Sequence, residues 1–239
     1  QPGKTMDEVK KAFNLETVTK LASNENPYGA SPKVKEFLTN ASIDFALYPD
    51  GYASRLRTAV ANHLNVLEKQ LLFGNGSDEN ILIVSRAMLE PGLNTIMADL
   101  TFGQYKHNAI VEGAETRTVP LTVDGEHDLE QMLAAIDENT AIVWICNPNN
   151  PTGTLTPSDK IKAFVEQAPR DVLIVLDEAY TEYITDPNYE DSISLIENHP
   201  NVLVMRTFSK AYGLASFRVG YAVGSEEVIS QLEPTREPF

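Results

Sequence analysis

The sequence predicts an open α/β fold, a mostly parallel sheet with helices on both faces. Short β-rich runs alternate with longer helical patterns along the 239 residues, the order that builds layered α/β domains. Several of those runs are continuously apolar instead of alternating, the mark of strands buried on both faces. The 42% hydrophobic content supplies a core for one large domain or two smaller ones.

Taken in order, TMDEVKKAFN (5–14) reads as a short helix, with Thr5 as N-cap and Glu8 completing a capping box. NENPYGASP (24–32) reads as irregular, so residues 1–30 form an arm leading into the main domain, 31–232. A helix over GYASRLRTAVANHL (51–64) follows the turn YPDG. Seven strands are then expected: QLLF (70–73), NTIMA (94–98), ETRTVP (115–120), AIVWIC (141–146), VLIVLD (172–177), NVLVMR (201–206) and RVGYAV (218–223). Helices are expected between them over 77–89, 103–113, 128–136 and 157–168.

The formal net charge of −15 disfavours nucleic acid and anionic membranes as partners. The single cysteine, Cys146, lies in an apolar run, which excludes a disulfide framework within the chain and fits a reduced thiol. No apolar run approaches the ~20 residues that span a bilayer, and the N-terminus lacks a signal peptide's apolar core. A cytoplasmic location is the expectation. His63, His107, His127 and His199 are scattered without metal-ligand spacing, so no metal is expected.

In open α/β sheets, ligands bind beyond the carboxyl ends of the strands. Those ends carry GNGSDEN (74–80), TFGQY (101–105), NPNNPTG (147–153), DEAY (177–180) and TFSKAYG (207–213). In the first, two glycines allow a tight turn, Ser77 is placed to cap the next helix, and free N–H groups there suit a phosphate. A plain turn and cap explains it equally. The third glycine of a dinucleotide fingerprint would fall at Glu79, and no Walker lysine follows. NPNNPTG is either a connecting loop or one that offers the Asn150 amide to a ligand. Asp177 ends an apolar strand, where a carboxylate is costly unless partnered. It reads as a cap or as the holder of a buried cation.

Together, NPNNPTG, DEAY and TFSKAYGLASFRVGY resemble the fold-type I aminotransferases, which use pyridoxal 5′-phosphate (PLP). The order and spacing match over nearly the whole chain. KLASNENPYGASP, YPDGYASRLR, GNGSDENI and MRTFSKAYGLA are most similar to the histidinol-phosphate aminotransferase branch. The resemblance implies a three-layer αβα PLP-binding large domain on a mostly parallel seven-stranded sheet. It implies Lys210 as the Schiff-base lysine and proton shuttle, Asp177 as partner of the pyridinium nitrogen, and Tyr180 and Asn150 at the ring hydroxyl. Ser77, Asp78, Glu79, Thr207, Ser209 and Arg218 would anchor the phosphate, and Phe102, where many relatives carry Tyr, would stack on the ring. Asn26 would line the substrate pocket. Tyr48 would reach the cofactor of a second copy, implying a homodimer. The substrates would be an amino donor and a 2-oxo acid, foremost histidinol phosphate and 2-oxoglutarate in ping-pong exchange. Aromatic aminotransferases, threonine-phosphate decarboxylases and non-catalytic PLP-binding modules share the fold and stand as alternatives. Ser216 and Phe217 depart from the family's usual Gly-Leu before Arg218 and alter packing there. Residues 233–239 would begin a C-terminal small domain whose remainder, with its substrate-binding basic residues, is not in this sequence.

Overall fold

The computed structural model describes residues 3–238. Gln1, Pro2 and Phe239, at the ends of the expected arm and C-terminal segment, lie outside the described residues.

The strands are β1 (Leu71–Gly74), β2 (Asn94–Ala98), β3 (Glu115–Val119), β4 (Thr140–Cys146), β5 (Leu173–Asp177), β6 (Val202–Thr207) and β7 (Gly220–Val223). They form one seven-stranded sheet in the order β1-β7-β6-β5-β4-β2-β3. Pairing is parallel from β6 through β5, β4 and β2 to β3. Strand β7 runs antiparallel to both of its neighbours. Its amino end therefore lies at the same edge as the carboxyl ends of the others.

Residues alternate between two cores, one on each side of the sheet. Val143, Ile145, Ile174 and Leu176 enter one, which α3 (Ser54–Leu64), α6 (Leu129–Ala134) and α7 (Ser158–Gln167) cover with Val60, Met132, Ile161 and Phe164. Ile142, Trp144, Leu173 and Val175 enter the other, under α4 (Ser77–Met88), α5 (Gln104–Val111) and α8 (Glu226–Leu232). Burial on both faces explains the continuous apolar runs of β4 and β5. The edge strand β3 leaves Glu115 exposed and only Val119 buried.

The first helix, α1 (Met6–Phe13), carries the expected capping box. Glu8 N–H donates to Thr5 Oγ1 at 3.2 Å, and Thr5 N–H donates to Glu8 Oε2 at 2.6 Å. Helices α2 (Pro32–Asn40) and α8 have no counterpart among the elements read from the sequence. Pro32 in the first turn of α2 and Ser225, whose hydroxyl caps α8, are their local signals. The strand expected from residue 218 begins at Gly220, because Arg218 takes a left-handed backbone with φ 52°. No helix among the described residues is long and apolar enough to cross a membrane.

Behind the edge where β5 and β6 end lies a buried ion network. Arg206 donates through Nε and Nη2 to Glu178 Oε2 at 3.0 and 2.7 Å, and through Nη2 to Asp191 Oδ1 at 2.8 Å. Burial opposes the guanidinium charge, but the two carboxylates outweigh it and raise the Arg206 pKa.

Candidate functional site

A cleft of about 730 Å³ opens at the edge where β1, β4, β5 and β6 end and β7 begins. Its size is in the range of small-molecule sites. Lys210, Asp177, Tyr180, Asn150, Phe102, Ser77, Asp78, Thr207, Ser209 and Arg218 all line it. These residues come from six separate stretches of sequence, and the sheet gathers them. Glu79, Asn26 and Tyr48 are not among its lining residues. Glu79 Oε2 instead accepts from the Asn75 N–H at 2.6 Å, fastening the turn before α4. Asn26 donates to the Ala211 carbonyl at 2.8 Å, which ties the arm to the loop carrying Lys210. Tyr48 is 80% exposed.

At one end of the cleft the backbone forms a tight cradle. The residue capping α4 is Gly76, not Ser77 as the sequence suggested, because the turn needs φ 78° and ψ 177°, a conformation open to glycine alone. Ser77 thus enters the first turn, and its hydroxyl is buried without a hydrogen-bond partner. A Cβ on Gly220 would lie 2.6 Å from the Gly76 carbonyl carbon, so β7 and the start of α4 touch backbone to backbone. Arg218 closes the side. Its Nη1 donates to Ser209 Oγ at 3.4 Å, and its Nη2 donates to the Asn75 carbonyl at 3.2 Å and to Asp78 Oδ2 at 3.1 Å. An orphaned hydroxyl, a helix amino end and a guanidinium converging in one pocket fit a phosphate group. Gly76→Ala is expected to destabilise the protein by about 1–3 kcal/mol through its backbone conformation. Its Cβ would also lie 2.6 Å from Arg218 Nη2 and displace it. Thermal melts and phosphate or PLP titrations read the two effects, and a variant that binds either ligand normally contradicts this account of the cradle.

At the middle of the cleft, Asp177 is 2% exposed. Burial pushes its pKa up to about 6, while hydrogen bonds from the Tyr105 hydroxyl and the Ala179 N–H pull it back. The raised value has a consequence for stability. The native state binds this proton more tightly than the unfolded chain, whose ordinary value is 3.8. The group's stabilising contribution is therefore present below pH ~4 and lost as pH rises through 6. At about 1.4 kcal/mol per unit, the ionised carboxylate costs the cofactor-free protein ~3 kcal/mol at pH 8. Asp177→Asn removes that cost and gives up one hydrogen bond worth ~1 kcal/mol. The variant should melt roughly 4–8 °C higher than the parent at pH 8 and show no gain at pH 4. Equal melting at pH 8 contradicts it.

Lys210 is half-buried on the loop after β6. Its Nζ donates to the Ser23 carbonyl at 3.0 Å and lies 5.8 Å over the Tyr180 ring. Burial lowers its pKa, with Arg218 in the same direction and Asp78, Glu25 and Asp177 opposing. Tyr180 Oη accepts from Asn24 Nδ2 at 3.0 Å. In the NPNNPTG loop the asparagines divide their work. Asn147 Nδ2 donates to the Thr156 carbonyl and to Tyr189 Oη, and Asn149 Nδ2 donates to the Leu100 carbonyl and Thr152 Oγ1. Those bonds hold the loop and leave Asn150 lining the cleft.

Sequence reasoning missed Ser23, Asn24 and Tyr105. The arm residues reach the cleft through a turn with φ 70° and 52°. The relevant sign in the sequence is two adjacent small polar residues that tolerate a left-handed backbone. Among the described residues no cluster of three or more side chains suited to a metal ion comes together.

The family model for class I and II aminotransferases matches residues 16–239. The chain is 60% identical over all its residues to a histidinol-phosphate aminotransferase of Lysinibacillus sphaericus, covering 65% of that protein. It is 55% identical to the protein of that name from Bacillus subtilis strain 168, covering 66%. The crystal structure of histidinol-phosphate aminotransferase from Sinorhizobium meliloti with pyridoxal-5′-phosphate superposes with a TM-score of 0.92 at 29% identity. That match covers 100% of this chain and 64% of the other. The chain thus spans just under two thirds of the length of these relatives.

Proposed function

The chain belongs to the class I and II aminotransferases, and from that premise we propose that it forms the PLP-binding part of a histidinol-phosphate aminotransferase. The reaction would exchange an amino group between histidinol phosphate and 2-oxoglutarate. The observation that carries this reading is the convergence of Lys210, Asp177, Asn150, Tyr180, Arg218 and the unpartnered Ser77 hydroxyl in one cleft. The names of relatives at 55–60% identity support the substrate.

In this reading the cradle of Ser77, Ser209, Thr207 and Arg218 holds the PLP phosphate, with Asp78 orienting the guanidinium. Phe102 packs on the ring face, Asp177 holds the proton of the ring nitrogen, and Asn150 and Tyr180 bond the ring hydroxyl. When bound, PLP supplies an electron sink for the carbon that loses its proton. Lys210 is the amine lining the cleft and would be the group that holds the cofactor. Its Nζ would also take the substrate Cα proton and return it, a task for the neutral amine, which burial favours by lowering the pKa of Lys210. Tyr48, exposed outside its own cleft, would serve the phosphate of a second copy in a homodimer.

Borohydride reduction of the PLP-loaded protein, followed by digestion, should place the label on Lys210. Label elsewhere overturns the site. Competing amino donors then test the substrate in the whole protein. Histidinol phosphate should exceed phenylalanine in kcat/KM, and phosphothreonine should release no carbon dioxide. The reverse ranking overturns the substrate assignment.

A further inference from the structure

We propose that Tyr105 is a positioning residue that holds the Asp177 carboxylate ionised and aimed into the cleft, and so governs how tightly that carboxylate keeps a cation there. Tyr105 is fully buried in α5, and its hydroxyl donates to Asp177 Oδ2 at 2.6 Å. The other carboxylate oxygen accepts from the Ala179 N–H at 3.2 Å.

The phenol is held so that it has little freedom to turn away. Its ring stacks on Trp144, with centroids 4.8 Å apart and planes inclined by 10°. Phe102 meets it edge-on at 5.7 Å. Trp144 is itself anchored, Nε1 donating to Thr95 Oγ1 at 2.9 Å and that hydroxyl donating to the Ile142 carbonyl at 2.9 Å. A rigid aromatic stack thus delivers one O–H to one carboxylate oxygen.

The charges around Asp177 give that donor its importance. Asp78 from α4 and the adjacent Glu178 both disfavour a negative charge on it. The Cys146 thiol on the neighbouring strand is kept neutral, its pKa pushed up to about 12 by burial. Burial also raises the Tyr180 pKa and keeps that phenol neutral. Lys210 faces the same cleft but bonds Ser23, and among the described residues no lysine or arginine pairs with Asp177. Against burial and like charge, the Tyr105 hydroxyl is the side-chain donor that favours the carboxylate form. Phe102, which meets the Tyr105 ring edge-on, also lines the cleft.

The effect on the carboxylate stands without a cofactor. Its extension to the ring nitrogen of PLP rests on the reading above. Tyr105→Phe removes one oxygen and keeps the stack. In full-chain, cofactor-free protein carrying ¹³C-carboxyl aspartate, the variant should raise the proton affinity of Asp177 about tenfold. An unchanged or lowered affinity overturns the proposal. Should the variant fold poorly, 3-fluorotyrosine at position 105 keeps the ring and its hydroxyl, exchanges one ring hydrogen for fluorine, and makes the hydroxyl a stronger donor. It should shift the titration in the opposite direction, and no shift overturns the proposal. With ¹⁵N-labelled PLP, Tyr105→Phe should move the ring-nitrogen resonance toward the unprotonated form. An unmoved resonance in loaded protein overturns the extension to the cofactor. A shifted carboxyl titration in a protein whose Lys210 forms no reducible adduct leaves the role of Tyr105 standing and removes the cofactor reading.

Discussion

Lys210→Ala is expected to lower transamination by the whole protein ~10⁴-fold, with PLP binding weakened but not abolished. Lys210 is the only lysine among the described residues lining the cleft, so the proton transfer proposed for it has no second amine to take it over. The Tyr180 ring lies 5.8 Å from Lys210 Nζ, but burial raises the pKa of its hydroxyl above the ordinary value of 10. General acid–base catalysis by a positioned side chain contributes ~10²–10⁴-fold, and loss of the attachment amine adds to that. The cradle proposed for the phosphate keeps its own bonds, Arg218 to the Asn75 carbonyl and to Asp78, without Lys210. Lys210→Arg should fare no better, because a guanidinium stays protonated and does not act as a base. Stopped-flow absorbance of the first half-reaction checks this. Either variant retaining more than a few per cent of the parent rate contradicts the assignment.

Arg206→Ala should lower folding stability by about 3–5 kcal/mol, the cost of leaving a buried carboxylate without its cation. Glu178 is 1% exposed and Arg206 7% exposed, so water does not replace the lost partner. The pair itself is a different matter. Exchanging both members for apolar residues of similar volume, Arg206→Met with Glu178→Leu, should recover most of the loss, because two desolvated charges leave together. Asp191 sits mainly in solvent on the far side of the network, and its own replacement by Asn should cost less than 1 kcal/mol. Urea denaturation of the three variants measures these differences. An Arg206→Ala variant as stable as the parent contradicts the argument.

The strands were legible because burial on both faces leaves long apolar runs that few other structures need. Residues 141–146 and 172–177 announced themselves in this way, and β4 and β5 fall within a residue or two of them. Helix α2 was less legible because it is short and follows directly on the irregular NENPYGASP stretch, although Val34, Phe37 and Leu38 recur at helical spacing. The chemistry-bearing residues at the strand ends were legible as a set, since sheet topology sends those ends to one edge. What binds what was not. Tyr105 lies 72 positions from Asp177, and nothing in TFGQY marks the tyrosine as the partner of a carboxylate on another strand. The cap at α4 illustrates the opposite error. Ser77 is the usual residue type for that place, but the close approach of β7 demands the left-handed backbone of Gly76, and the serine moves into the first turn.

The sheet order has a consequence for synthesis. Among the described strands β1 leaves the ribosome first, yet Leu71 pairs with Val223 and Gly74 with Gly220. Its strand partner β7 is made about 150 residues later. The central strands can associate in turn as they emerge, while β1 closes its pairing across the largest sequence separation in the sheet, the kind of contact that slows folding. The cradle of Gly76, Ser77 and Arg218 is assembled in that same closing event, so a nascent chain gains the proposed anion site only once β7 has docked.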